Sequence, residues 1–333
     1  MSDTVMKKRT IRELAEELHL SPAAVSMALN NKPGVSNATR ARVQAHIQKN
    51  GYIVSRQKAK RKGVLTMAFV QEGDYRFNDN LLFSSLVAGV QSAAEKLEYD
   101  VSVQFLSRQG LQEYQPRTDG TVFLGTLMTE EDLQLLSRVK YPFVILDRDA
   151  GIYPMDSIAI DNAYGVCTGF RHLVEKGHSS IGYVRCVGIE LHNYAERFEA
   201  YQNCLHRFHI EAADVIELPS NMSMACSAMN EHLEKRSLQA TALLCDNEQI
   251  ACAAITALNS RGLQVGKNIS LVCFDNSFYA ENAGLTAIDV PFFQMGREAV
   301  LRLLNRLENP EEAFAHSRIG TKLIVRESVA MKN

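Results

Sequence analysis

The sequence predicts an α/β protein with a separate all-α head: three short helices come first, and two doubly wound α/β lobes follow. Three observations carry that prediction. Basic charge is concentrated in the first sixth of the chain. Apolar residues there recur at helical spacing between cap residues. After Gly63, continuous apolar runs alternate with amphipathic helical stretches. The chain has 333 residues, 46% hydrophobic and 22% charged, values of a globular protein with a sizeable core. Its net charge of −2 conceals an asymmetry: residues 1–62 hold 13 Lys+Arg against four acids, net +9, and the remainder holds 23 against 34, net −11. A basic head on an acidic body is suited to meeting a polyanion. No apolar run reaches the roughly 18–20 residues of a membrane span, and the N-terminal stretch lacks the apolar core of a secretion signal. Seven Cys, an odd number with no C-x-x-C pair, suit a reducing cytoplasm rather than a disulfide or metal framework.

The elements of the head follow in order. Thr10 and Glu13 form a capping-box pattern, and Ile11, Leu14, Ala15 and Leu18 carry a helical period. Leu18-His19-Leu20 breaks the helix. Ser21-Pro22 starts a second one, Ser as N-cap and Pro in the first helical position, with Val25, Ala28 and Leu29 on its apolar face. Asn30–Gly34 is a turn, Ser36 caps a third helix, and Asn50-Gly51 closes it. Two helices joined by a tight break, followed by a third, describe a helix-turn-helix whose second helix would enter a major groove. A generic three-helix bundle is the alternative.

Thr10–Tyr52, TIRELAEELHLSPAAVSMALNNKPGVSNATRARVQAHIQKNGY, resembles the headpiece of the LacI/GalR family of bacterial repressors. The matches are Val25-Ser26, Leu29-Asn30, Val35-Ser36, Thr39-Arg40, Val43 and Gly51-Tyr52. The resemblance implies DNA contacts from Thr10, Ser21, Pro22, Ala23, Ser26, Met27, Asn30, Lys32 and Arg40, with Arg42 adding phosphate affinity. Three departures stand out: His19 replaces the family's Gly at the helix break, Ala24 a Thr, and Met27 an Arg. The loss of that Arg removes a bidentate donor to guanine, so thymine methyls and groove shape become the expected readout. A basic hinge over residues 53–63 follows the head, 1–52. It lacks the family's Pro-Asn and has Arg61 where a wedging leucine belongs. Arg56, Lys58, Lys60 and Arg61 are expected to follow phosphates or a narrow minor groove.

In the body, 64–333, Val64–Val70 reads as a strand buried on both faces. The helix marked by Leu82, Phe83, Leu86, Val87, Val90, Ala94 and Leu97 comes next. Strands are expected at 100–106, 121–124 and 143–146, with a helix at 130–139. The second half repeats the rhythm: helices at 165–176, 196–208 and 248–261, strands at 181–184, 242–245 and 271–274. Such alternation implies doubly wound α/β units with a ligand cleft at the carboxyl ends of their strands. The stretch RQGLQEYQPRT leaves room for only a short turn of helix between the second and third strands.

The family resemblance continues through Asp161–Gly165, His172–Tyr183, Glu196–Tyr201, Phe274-Asp275, Met295–Arg297 and Val325–Ser328. It implies two lobes of periplasmic-binding-protein type, an N-lobe at about 64–160 and 291–317 and a C-lobe at about 163–289 and 321–333. Between them the resemblance places an effector, a sugar or related polyol, held by Asp147, Arg197, Asn247 and Asp275, with Phe83 and Phe292 stacking on it. For each acid a local cap is the competing role. No cofactor loop, metal motif or catalytic motif is found, so no enzyme, cofactor or metal is expected. The expected protein is a cytoplasmic homodimeric repressor on a pseudo-palindromic double-stranded operator, with no membrane partner and no heptad tail for tetramerisation. A cytoplasmic sugar-binding sensor without a gene-regulatory role is the alternative.

Overall fold

A computed structural model describes residues 8–29, 34–50, 53–55, 61–71 and 81–332. The chain divides into two compact units, 1–61 and 62–333. In the first unit, strand β1 (Lys8–Thr10) runs into helix α1 (Ile11–Leu18), and α2 (Pro22–Leu29) and α3 (Asn37–Asn50) follow. Leu14, Ala15, Leu18, Val25, Ala28 and Val43 bury each other between the three helices. The caps fall where the sequence predicts them. Ser21 Oγ accepts from the Ala24 amide at 3.1 Å, and Ser36 Oγ accepts from the Thr39 amide at 3.1 Å. His19 takes the left-handed conformation, φ 52°, that the break between α1 and α2 demands. One expectation needs correcting here. Residues 53–55 form a strand, β2 (Ile53–Ser55), paired in parallel with β1, so the start of the expected hinge is tied to the head by backbone hydrogen bonds. The expected boundary at residue 52 accordingly moves past this strand.

The second unit contains two six-stranded sheets. The N-lobe begins with β3 (Gly63–Val70), α4 (Leu81–Lys96), β4 (Tyr99–Leu106), α5 (Arg108–Gln112), β5 (Gly120–Leu124), α6 (Glu130–Leu136), β6 (Phe143–Leu146) and β7 (Asp156–Ile160). The C-lobe comprises α7 (Asn162–Glu175), β8 (Ile181–Val187), α8 (His192–Phe208), β9 (Ala212–Pro219), α9 (Met222–Lys235), β10 (Ala242–Cys245), α10 (Glu248–Ser260), β11 (Ser270–Phe274), α11 (Phe278–Asn282) and β12 (Thr286–Asp289). The chain then returns to the N-lobe as α12 (Phe292–Glu308) and β13 (His316–Ile319), and ends in the C-lobe sheet as β14 (Lys322–Ile324). The sheet orders are β13-β7-β6-β5-β3-β4 and β14-β12-β11-β10-β8-β9. The chain therefore crosses between the sheets three times, after β7, after β12 and after β13. The second crossover is short, as its sequence requires: α5 has five residues, capped by Ser107.

Helices α4 and α12 pack so closely that side chains are excluded from the contact. A Cβ on Gly89 would lie 2.1 Å from the Phe293 carbonyl oxygen, and one on Gly296 would lie 2.3 Å from that of Leu86. Asp156 on β7 fastens α12 to the sheet, accepting from Arg302 Nε and Arg306 Nε, both at 2.7 Å. Burial alone would raise its pKa, but these partners and the Ala315 amide hold it below the ordinary value. The helix contact gives a direct test. Gly296→Ala should lower the stability of the body by about 1–3 kcal/mol, read as a shifted urea midpoint at unchanged slope. An unaltered midpoint would contradict backbone-to-backbone contact here.

Candidate functional site

The start of α2 is exposed on the head. Ser21, Pro22 and Ala23 are exposed at the first turn of α2, while Ser26 and Met27 are half-buried on the next turn. The inward face is closed by Val25 and Ala28. Arg40 is half-buried on α3. Arg42, expected at phosphate, donates from Nη2 to the Leu18 carbonyl at 2.9 Å. It thus satisfies an end-of-helix acceptor and supports the break between α1 and α2. Thr10 closes β1, so helix α1 begins one residue later; its side chain lies outside what is described. Asn30, Lys32, Arg56, Lys58 and Lys60 lie outside the described residues, and Arg61 is half-buried.

The body holds a cavity of about 1320 Å³ at the carboxyl ends of the strands. Two strands of like sequence, one in each lobe, end near it in an aspartate. Phe-Val-Ile-Leu-Asp ends β6, and Leu-Val-Cys-Phe-Asp ends β11. Both terminal aspartates sit at positive φ, 66° for Asp147 and 71° for Asp275. The amide of each donates to the neighbouring strand, Asp147 to Ile158 at 2.8 Å and Asp275 to Ile288 at 3.0 Å. Holding a non-glycine residue there costs roughly 1–3 kcal/mol, strain that turns a side chain out of the sheet at a functional edge.

The two aspartates then differ. Asp147 is covered: Thr126 Oγ1 donates to it at 2.6 Å and Asn193 Nδ2 at 3.1 Å. Its pKa is raised, mainly by burial, against the lowering effect of those donors and Arg197. The Asp275 side chain lines the cavity and accepts no hydrogen bond among the described residues. Burial pushes its pKa up to about 7; Arg197 opposes that shift, and Glu248, Asp147 and Asp246 add to it.

Arg197, on α8, is 3% exposed and lies beneath the cavity. Its Nε donates to Asn162 Oδ1 at 2.9 Å and its Nη1 to the Asp246 carbonyl at 2.5 Å. Its guanidinium carbon stands 3.9 Å from the centre of the Phe274 ring. Asp246 accepts from the Tyr183 hydroxyl at 2.5 Å and the Cys186 amide at 2.8 Å. Burial still lifts its pKa to about 6 against those donors. Asn247 caps α10 through the Ile250 amide at 3.0 Å, lines the cavity, and donates to the Tyr194 hydroxyl at 2.7 Å.

Of the six residues expected at an effector, Asn247 and Asp275 reach the cavity. Asp147 and Arg197 do not line it: both are buried and committed to partners within the protein. Phe83 and Phe292 do not stack on a ligand space: both are buried in the main core cluster with α4 and α12, because the helix contact draws them inward. The sequence reading overlooked the lining residues Arg108, Glu130, Arg148, Tyr194 and Asn221, and the network members Asn162 and Asn193. The one local signal was Arg148, next to Asp147 at a strand end. Among the described residues no group of His, Cys, Asp and Glu is placed to hold a metal ion, and no helix is long and apolar enough to cross a membrane.

Comparison with known proteins yields the following. Residues 10–55 match the family described as bacterial regulatory proteins, lacI family. Residues 170–329 match the periplasmic binding protein-like domain. The chain is 24% identical over 316 residues to catabolite control protein A of Priestia megaterium, covering 91% of this chain and 93% of that one. It is 25% identical over 337 residues to the HTH-type transcriptional repressor CytR of Escherichia coli (strain K12), covering 96% of each. Among solved structures, a transcriptional regulator CelR–cellobiose complex matches with TM-score 0.70 at 23% identity, over 96% of this chain and 99% of that one. The lac repressor dimer bound to operator and the anti-inducer ONPF matches with TM-score 0.70 at 23% identity, over 97% and 100%.

The unpartnered Asp275 gives a pH test. An acid held above its ordinary 3.8 in the folded chain costs stability as pH rises, from about pH 4 up to its folded value near 7, and the full cost persists above. Asp275→Asn should therefore be more stable than the parent at pH 8 by roughly 2–4 kcal/mol, converging with it toward pH 4. Thermal unfolding across pH checks this, and equal midpoints at pH 8 would contradict it.

Proposed function

We propose that this chain, which belongs to the LacI family of bacterial regulatory proteins, is a transcription repressor whose operator affinity is set by a small effector in the cleft of the body. The carrying observation is the pairing in one chain of two parts: an exposed, Ser21-capped helix start on a helix-turn-helix, and a cleft ending in the uncommitted carboxylate of Asp275. The first part suits the major groove of double-stranded DNA. The second suits the hydroxyls of a sugar or polyol. On this reading Pro22, Ala23 and Met27 meet base edges, and Ser21 and Arg40 meet phosphate. Asn247 and Asp275 hold the effector, while Asp147 and Arg197 stay committed to partners within the protein. The protein acts in the cytoplasm and is a binder, not an enzyme.

Association as a homodimer matches the two-fold symmetry of a pseudo-palindromic operator. Exposed apolar side chains support it. On the C-lobe these are Met222 and Met224 of α9 and Phe278 and Tyr279 of α11, two helices that both pack on α10. On the N-lobe they are Val103 and Phe105 of the edge strand β4.

Fluorescence anisotropy on the DNA upstream of the chain's own gene tests the reading. The expected result is sequence-selective binding that weakens at least about tenfold between 50 and 200 mM salt; selectivity absent at every salt concentration would refute it. Selection of sites from random DNA tests the readout. With Met27 in place of an arginine, A·T pairs should be enriched opposite the second turn of α2, and a strict guanine there would overturn that assignment.

A further inference from the structure

We propose that the effector is an anionic polyol, a sugar that carries a carboxylate or a phosphate, and that Arg148 and Arg108 hold its anion on the N-lobe wall of the cleft. The proposal rests on the effector-cleft reading above and adds the class of ligand to it.

The two walls of the cavity differ in chemistry. Arg148 follows Asp147 at the end of β6, so the left-handed turn that sets the aspartate also sets the arginine at the cavity. Its side chain is 5% exposed and meets one carboxylate, Glu130, at 2.7 Å. Its Nε is buried without an acceptor. A buried guanidinium with an unanswered N–H is costly, and an oxyanion is the strongest acceptor that can answer a guanidinium. Glu130 is 69% exposed at the first turn of α6. A carboxylate this exposed keeps its hydration and is screened by salt, so a ligand oxyanion can share the guanidinium with it.

Arg108 is fastened to the same turn of chain. Its Nη1 donates to Thr129 Oγ1 at 3.2 Å and its Nη2 to the Leu127 carbonyl at 3.4 Å, and Asp132 stands 3.5 Å away. Arg108 opens α5 two residues after β4, which sets it at the carboxyl end of that strand, beside the cavity.

The opposite wall presents acceptors and amides: Asp275, Asn247 and Asn221. Glu248 is already engaged by the Ser277 amide at 2.8 Å and by the Ser277 hydroxyl. Arg185 is drawn away to Glu217 at 3.2 Å and to the face of Phe198. Glu190 and His192 also line the cavity, His192 beside Glu196 at 3.5 Å. Donors on one wall and acceptors on the other fit a ligand with an oxyanion at one end and hydroxyls at the other. A neutral sugar would answer Arg148 only with hydroxyl oxygens, weaker acceptors than an oxyanion, and a bare anion would offer Asp275 no donor.

Thermal-shift and calorimetric titration of the full chain tests this with four probes at matched ionic strength: glucose, gluconate, glucose 6-phosphate and inorganic phosphate. Inorganic phosphate is the minimal probe, expected to stabilise the parent in the millimolar range. Arg148→Gln and, separately, Arg108→Gln should weaken that binding by at least about tenfold, while Asp275→Asn, which removes a negative charge from the same cleft, should not weaken it. Gluconate and glucose 6-phosphate tell a carboxylate site from a phosphate site, and preference for either supports the proposal. The proposal is overturned if no anion stabilises the parent, or if the anion effect survives both arginine substitutions, which would assign it to the basic head. Stabilisation by glucose alone, lost in Asp275→Asn and unchanged in Arg148→Gln, would overturn the anionic class and keep the effector cleft.

Discussion

The guanidinium of Arg197 is the group on which the architecture of the body depends. A cation this buried survives only with full hydrogen bonding and a favourable ring face. Asn162, the Asp246 carbonyl and Phe274 supply these. Each partner is then committed to a second contact. Asn162 Nδ2 donates to Asn193 at 2.9 Å and to Glu196 at 2.7 Å. Asn193 passes the chain on to Asp147, and Asp147 to Thr126. One continuous polar path thus runs from the C-lobe sheet to the N-lobe sheet beneath the cavity. Arg318 of β13 adds a parallel tie, holding Asp149 and Glu196, both at 2.9 Å. With His192, Asn162 and Arg318 around it, Glu196 stays ionised with a pKa near 2 despite its burial.

That path places strong demands on the acids around it. Asp147, Asp246 and Asp275 surround a single arginine, so burial wins at all three and their pKa values rise. Two of them are answered by protein donors, and the third faces the cavity. A site with one carboxylate left over, opposite a wall of guanidinium donors, is arranged to be completed by a ligand. The ligand would then add bonds to both lobes at once. A body that gains contacts across its two lobes on binding has a means of shifting between lobe arrangements, and reciprocity requires that anything else sensitive to lobe arrangement feel the ligand equally.

Much of this was legible in the residues. Strands such as β3, β5, β6 and β10 are continuous apolar runs because both their faces are covered, and that pattern survives without any knowledge of neighbours. The head was readable to the level of single caps, since Ser21 and Ser36 act on amides three residues away. What could not be read was decided by distant partners. Strand β9 is an edge strand with charged residues and a register shift beside β8, and its alternation is weak. Ile53–Ser55 looked like hinge because the partner that makes it a strand, Lys8–Thr10, lies more than forty residues earlier. Phe83 and Phe292 suit a ligand face by residue type alone; their place in the core goes with the packing of α4 on α12, which Gly89 and Gly296 permit. Asn162, Asn193 and Arg148 look like ordinary polar residues until Arg197 and Asp147 are set beside them.

On the function proposed above, the buried path joining the two lobes governs how tightly the head holds DNA. Asn193→Ala cuts that path between Asp147 and Asn162 and leaves the sequence of the head unchanged. Anisotropy titration of the folded variant and the parent on the DNA upstream of the chain's own gene measures the consequence. The account predicts an operator affinity changed by at least about fivefold, with an unchanged salt slope because the phosphate contacts are the same. Superimposable isotherms from a variant that is folded and carries an intact head would contradict it.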